Sequence, residues 1–256
     1  MIPVERWALS PTTLAELERF TREKARWSGF RTPVAAAAET KKAASAEVLD
    51  KLQAMFHGKC AMCERPGAEQ IEHFCPKSIY PERTYLWSNL LLICGDCNHN
   101  KDDLDPFNPA ASDGGAALLD PTVDTPEEHI RYDSVTGLSV FVNRQEGVRH
   151  RGEKTVIAYH LDRQALSDAR HRLFVEIILL LDLLSLPQEP LAERGASFLT
   201  ELIAPRSPHL AVIRQLLLDP AHQPLITAVA TQWPALSARF DELRAIPARS
   251  PAHQPR

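Results

Sequence analysis

Apolar residues recur at the three- and four-residue spacing of helices in the N-terminal part of the chain. The positions that share a face are Leu14, Leu17, Phe20 and Trp27, and then Val48, Leu52, Met55 and Phe56. Thr12 or Thr13 is placed to cap the first helix, and Gly58 is placed to end the second. The pattern predicts an N-terminal helical region over residues 1–57.

The same period returns in the C-terminal part and predicts a helical region over residues 151–245. The predicted helices are Leu166 to Leu186, Leu191 to Ile203, His209 to Leu218, and Pro224 to Ala245. The last is expected to kink or restart at Pro234, because proline cannot donate a helical hydrogen bond. Residues 246–256 contain three prolines and few apolar side chains, which predicts a disordered tail.

Between these regions the apolar runs are short. Ile71 to Phe74 and Trp87 to Ile93 are strand candidates, and a helix is expected from Asn98 to Asp103. These elements predict a small core over residues 58–110. A loop and a hairpin are expected over residues 111–150, with Arg131-Tyr132 pairing against Leu138 to Val142.

The composition is that of an ordinary water-soluble protein, with 44% hydrophobic and 24% charged residues. The most apolar run, Val175 to Leu186, is short and contains two acids, so it predicts a core helix and no membrane contact. Glu5 and Arg6 do not fit a signal peptide, which favours a cytoplasmic location. The net charge of −4 argues against non-specific coating of nucleic acid.

The chain contains two Cys-x-x-Cys pairs, Cys60/Cys63 and Cys94/Cys97. A Cys-x-x-Cys turn presents two thiolates to one ion, and two such turns complete the tetrahedral shell that Zn²⁺ prefers. The spacing therefore predicts a structural zinc site. Iron or an iron–sulfur cluster is the alternative for four cysteines, and a pair of unrelated dithiols is another. The fifth cysteine, Cys75, is expected to be a free thiol.

An acid–histidine pair, Glu72-His73, lies between the two knuckles, and Asn98 follows the last cysteine. His73 suits a general base, because a nearby cation keeps an imidazole neutral. Glu72 and Asn98 offer the oxygen ligands that favour Mg²⁺ or Mn²⁺. The set predicts phosphodiester hydrolysis at a second, divalent metal. Adjacent strand residues point to opposite faces, so the backbone must bend there or Glu72 must act from the side.

Three further residues are candidates for this site. Asn89 is expected to hydrogen-bond the backbone of the His73 loop and hold the base in place. Lys77 and Lys101 are candidate phosphate contacts, although a lysine is more often only solvated. His57 and His99 are interpreted as structural or surface residues.

The motif resembles the HNH endonucleases of the ββα-metal class. The resemblance is carried by Cys60-Ala61-Met62-Cys63, Ile71-Glu72-His73-Phe74, Trp87-Ser88-Asn89-Leu90-Leu91 and Cys94-Gly95-Asp96-Cys97-Asn98. It implies that Glu72 and Asn98 hold the catalytic ion, that His73 is the base and that Asn89 orients it. The implied fold class is α+β, with a small zinc-stapled ββα-metal HNH core embedded in a mostly α-helical protein.

A narrower resemblance links the chain to the HNH proteins of Septu-type and retron-type anti-phage systems. It rests on Glu72-His73-Phe74 with Pro76-Lys77, and on Leu118-Leu119-Asp120-Pro121 with Asp124, Pro126, His129 and Tyr132. It implies DNA as the substrate and an ATPase partner subunit. The chain departs from that branch at Cys75, where arginine is usual, and at Asp102, where glycine is common.

Two hypotheses follow from these residues. The first is a metal-dependent HNH endonuclease, and the second is a non-catalytic zinc-binding module that binds protein or nucleic acid. Three roles are open for the helices outside the small core: a scaffold, a docking surface for a partner, or a surface that holds DNA. The basic stretch Arg144 to Arg172 is the candidate for a face that contacts the nucleic-acid backbone.

Overall fold

The structure is a computed structural model and describes residues 1–31, 39–107, 117–142, 146–186 and 191–245. The tail predicted at residues 246–256 lies outside the described residues. The described elements are mostly helical with two small sheets, so the predicted α+β class is confirmed.

The described residues of the N-terminal region form the helices α1 (Pro11–Arg22), α2 (Trp27–Arg31) and α3 (Glu39–Phe56). The predicted cap of α1 is wrong. Ser10 caps it, because its hydroxyl accepts a hydrogen bond from Thr13 N at 3.2 Å, while the Thr13 hydroxyl donates to Glu47 of α3. The chain then leaves α3 through Gly58, whose φ of +69° suits a residue without a Cβ.

The short core consists of strand β1 (Gln70–His73), strand β2 (Leu90–Ile93) and helix α4 (Gly95–Lys101). The strands are antiparallel, with Glu72 opposite Leu91 and His73 opposite Leu90. Helix α4 begins a turn earlier than predicted, with Cys94 as its N-cap. The second knuckle is therefore the first turn of the helix, and its two sulfurs are presented by that turn.

The predicted hairpin is confirmed as strands β3 (Ile130–Tyr132) and β4 (Ser139–Phe141). Gly137 ends the turn between them with a φ of +68°. A Cβ built on Gly137 would lie 2.0 Å from the Ser167 carbonyl oxygen, so only glycine permits this approach. The hairpin thereby packs against the helix that contains Ser167.

After the hairpin, the described part of the chain forms the helices α5 (Glu146–Ala158), α6 (Gln164–Ser185), α7 (Ala192–Leu202), α8 (Leu210–Leu218), α9 (Gln223–Gln232) and α10 (Pro234–Arg244). The predicted restart at Pro234 is confirmed, since Trp233 separates α9 from α10 in a non-helical conformation. Among the described residues, no helix is both long enough and apolar enough to cross a membrane.

Buried apolar residues form two clusters. The first joins α1–α3, the β1–β2–α4 core, the hairpin and α5, and includes Phe20, Leu52, Leu91 and Tyr159. The second is built from α6–α10 and includes Leu181, Leu199 and Phe240. The small β1–β2–α4 core thus shares its apolar interior with the N-terminal helices.

Candidate metal centre and catalytic cleft

The four knuckle cysteines converge on one point. Their Sγ atoms all lie within 4.8 Å of one another, and Cys63 Sγ lies 3.7 Å from Cys94 Sγ. Four sulfurs around one zinc at about 2.3 Å would be separated by about 3.8 Å. The first knuckle is held in place by the Ala61 amide, which donates to Leu92 O of β2 at 2.8 Å. The donor set and its spacing fit a zinc ion.

The pKa values of the four thiols are shifted in opposite directions. Hydrogen bonding, with Cys60 the largest contributor, holds the pKa of Cys94 well below its usual range and lowers that of Cys63 to about 6. Burial raises the pKa of Cys60, and hydrogen bonding to Cys60 raises that of Cys97. A divalent ion at the centre would displace the remaining protons, because the thiolate is the ligand.

Two arginines compensate this negative charge from outside. Arg65 Nη2 lies 3.9 Å from Cys94 Sγ and forms an ion pair with Asp96. Arg163, just before α6, donates to Cys97 Sγ at 3.7 Å. Sequence reasoning missed Arg163, because nothing in its local sequence connects it to a cysteine distant in the chain.

A cleft of about 510 Å³ opens beside the β1–β2–α4 core. Four of the predicted site residues line it, namely Glu72, His73, Asn98 and Lys77. Its walls also include Trp27, Gln70, His99, Asp102 and Asp103. The cleft is therefore lined by two imidazoles, two amides, three carboxylates and a lysine.

The His73 ring is held in a defined orientation. Its Nε2 lies 3.0 Å from the Thr84 carbonyl oxygen. A carbonyl only accepts, so the neutral ring carries its proton on Nε2 and has an acceptor at Nδ1. Nδ1 has no hydrogen-bond partner among the described residues. Burial, reinforced by the charges of Lys77 and Lys101, lowers the pKa of His73 to about 4, so the ring is neutral at pH 7.

The Glu72 side chain is held by an ion pair, unlike the neighbouring His73 ring. Its Oε1 accepts a 2.5 Å hydrogen bond from Lys101 Nζ, and the same ammonium donates to the His73 carbonyl oxygen at 3.1 Å. Both side chains are nearly inaccessible to solvent, at 6% for Glu72 and 0% for Lys101. Burial raises the pKa of Glu72, while the charge of Lys101 opposes that effect.

This position does not fit the expectation that Lys101 contacts phosphate. The ammonium points inward to Glu72 and the β1 backbone, because that buried carboxylate needs a counter-charge. Lys77, by contrast, is exposed at the cleft. Of the two lysines, only Lys77 is exposed at the cleft, and its contact with phosphate stays a prediction.

Asn98 and Asn89 occupy different places. Asn98 Nδ2 donates to Gln70 Oε1 at 2.7 Å, which leaves its Oδ1 for another partner in the cleft. Asn89 is buried and clamps the loop after His73: its Oδ1 accepts from Cys75 N at 2.7 Å, and its Nδ2 donates to Cys75 O and Arg83 O, both at 3.0 Å. The contact expected of Asn89 is present, and its role in positioning the base stays a prediction.

Strands β1 and β2, helix α4 and the cluster of four cysteines together form a ββα domain. Residues 60–104 match the family described as "HNH endonuclease". The resemblance stated from the motif residues is therefore confirmed.

Two relatives extend the similarity beyond that domain. The chain is 33% identical over 157 residues to Septu protein PtuB from Bacillus mycoides (strain KBAB4), which covers 51% of this chain and 52% of the relative. It is 32% identical over 114 residues to Septu protein PtuB from Bacillus thuringiensis. That match covers 43% of this chain and 38% of the relative. The match thus spans about half the length of the first relative and less of the second.

Proposed function

We propose that the protein is a metal-dependent endonuclease that hydrolyses DNA phosphodiester bonds in the cleft beside β1 and α4. The observation that supports it most is the convergence of Glu72, His73 and Asn98 on one cleft of the HNH domain. A zinc scaffold alone needs only the four cysteines. The additional acid, base and amide have a purpose if the cleft performs chemistry.

In this proposal His73 accepts a proton from water at Nδ1, because Nε2–H is already committed to Thr84. Asn89 holds the loop that carries the base. The free oxygens of Glu72 and Asn98 would hold a divalent ion, Mg²⁺ or Mn²⁺, and the donor set fits such hard cations. When bound, that ion supplies counter-charge for the developing phosphorane and the departing oxygen. Lys77 contacts a neighbouring phosphate.

The biological setting belongs to the same proposal. The similarity to Septu protein PtuB supports a role as the nuclease effector of an anti-phage defence system. An ATPase partner subunit is proposed from the resemblance to that branch. A cytoplasmic location is proposed as well, because free thiols suited to zinc persist in a reducing compartment.

The test is plasmid cleavage by the full chain with Mg²⁺ or Mn²⁺, alone and with the partner ATPase. The His73→Ala variant is expected to cut about 10²-fold more slowly, as for the loss of a general base. His99→Ala is the matched control, since His99 lines the same cleft on α4 and should retain activity. Intact plasmid with the wild-type complex, or equal rates for wild type and His73→Ala, would favour a non-catalytic zinc-binding module.

A further inference from the structure

One wall of the cleft comes from outside the HNH domain. Trp27, the first residue of α2, lines the cleft, although the family match begins only at residue 60. Its ring meets the His73 ring edge to face, with centroids 4.5 Å apart and an interplanar angle of 79°. The N-terminal helices therefore touch the proposed base directly.

This contact belongs to a closed circuit of contacts that link Thr84, Tyr85 and Trp27 around the His73 ring. His73 bonds the carbonyl of Thr84 at 3.0 Å, and the next residue, Tyr85, packs against Trp27 with centroids 5.6 Å apart. The Tyr85 hydroxyl then donates to Ala25 O at 2.9 Å, just before Trp27. The ring is thus held from one side by a hydrogen bond and from the other by an aromatic face, and the two restraints are tied together.

The circuit is anchored in the apolar interior. Trp27 also contacts Phe30, with centroids 5.3 Å apart. Phe30 and Tyr85 are 0% and 4% exposed. Trp27 itself is half-buried, with one part in this aromatic cluster and another at the cleft. Because its neighbours in the core are closely packed, Trp27 has little freedom to move, and it therefore restricts the His73 ring that it contacts at the edge of the cleft.

We infer that Trp27 is a positioning residue for His73, which holds the imidazole with Nδ1 available to the cleft, and that the N-terminal helices are an integral part of the catalytic site. The inference rests on the proposed function of His73. A single hydrogen bond through Nε2 leaves the ring free to swing about that bond. The aromatic wall removes this freedom, and a displacement of about 1 Å at a reacting group is enough to cost about 10²-fold in rate.

The experiment compares Trp27→Ala, Trp27→Phe and Phe240→Leu in the full chain. Phe240→Leu is the control for a loss of stability alone, because Phe240 is buried in the second apolar cluster, which contains neither Trp27 nor His73. We expect Trp27→Ala to lower kcat about 10- to 100-fold with little change in KM. Trp27→Phe should restore most of the loss, and Phe240→Leu should lose stability while keeping kcat.

A second readout does not depend on nuclease activity. The imidazole nitrogens of ¹⁵N-histidine-labelled protein are observed by NMR, and the His73 signals are assigned by their absence in His73→Gln. Wild type should show one tautomer with the proton on Nε2, and Trp27→Ala should show averaged signals. If the wild type proves inactive on DNA, this spectrum alone decides the inference.

Three results would overturn it. One is an unchanged kcat in Trp27→Ala, and another is an equal loss of kcat in Phe240→Leu. The third is a His73 spectrum that is identical in wild type and Trp27→Ala.

Discussion

Replacing Lys101 by methionine tests whether this lysine is a buried structural cation or a phosphate contact. The substitution keeps the length of the side chain and removes the ammonium. In the structure that ammonium lies 2.5 Å from Glu72 Oε1 and 3.1 Å from His73 O, with no solvent exposure of the Lys101 side chain. Methionine would therefore leave the Glu72 carboxylate buried without its counter-charge.

The burial of this ion pair determines how much stability the Lys101→Met variant is expected to lose. Removing one partner of a buried ion pair costs about 3–5 kcal/mol, whereas an exposed lysine changes stability by about 0.5 kcal/mol or less. A typical domain has about 5–15 kcal/mol of total stability, so the difference is easily measured. Protonation of Glu72 in the variant would moderate the loss, since burial already raises its pKa.

The assay is urea-induced unfolding followed by circular dichroism with zinc in excess. Lys77→Met is the matched control, because Lys77 lines the same cleft but is exposed. Lys77→Met should unfold like wild type and bind DNA more weakly. A double variant, Glu72→Gln with Lys101→Met, should recover part of the loss, because the unpaired charge is gone.

The reasoning is refuted if Lys101→Met is as stable as Lys77→Met and loses only affinity for DNA. Lys101 would then behave as the exposed phosphate contact that its sequence position first suggested. Absence of any coupling between Glu72 and Lys101 in the double variant would refute it equally.

Three other outcomes are expected. Arg163→Leu should weaken zinc binding about 10-fold or more in competition with a chromophoric chelator, because the guanidinium that faces the Cys97 sulfur is lost; unchanged affinity would contradict this. Asp102→Gly should stabilise the protein by about 1 kcal/mol, because Asp102 has φ +48° and ψ −135°, a conformation that favours glycine; a lower midpoint in thermal unfolding would count against it. Burial lowers the pKa of His73 and of His209 to about 4. The unfolded chain, with histidine pKa values near about 6.5, takes up these protons first, so the free energy of unfolding should fall as the pH drops from about 6.5 to about 4. His209→Gln should reduce the slope over that range, and a flat profile for the wild type would show the reasoning to be wrong.

Residues close in sequence account for most of what could be predicted. The Cys-x-x-Cys spacing, the Glu72-His73 pair and the helical periods are local patterns, and local patterns follow from backbone geometry. The cluster of four cysteines, the hairpin at β3–β4 and the restart at Pro234 were therefore accessible without coordinates. The start of α4 and the cap of α1 were missed, because the ends of helices depend on which side chain reaches a free amide.

The amino-acid sequence by itself determined the chemistry available to this protein, since the types and spacing of its cysteines, acid, imidazole and amides define which ions and protons it can handle. Tertiary structure decided which way these groups face. It turned Lys101 inward to Glu72, brought Arg163 to the cysteine cluster and placed Trp27 against His73. Such contacts join residues far apart in the chain, and they form only because burial forces each charge and each ring to find a partner in the folded interior.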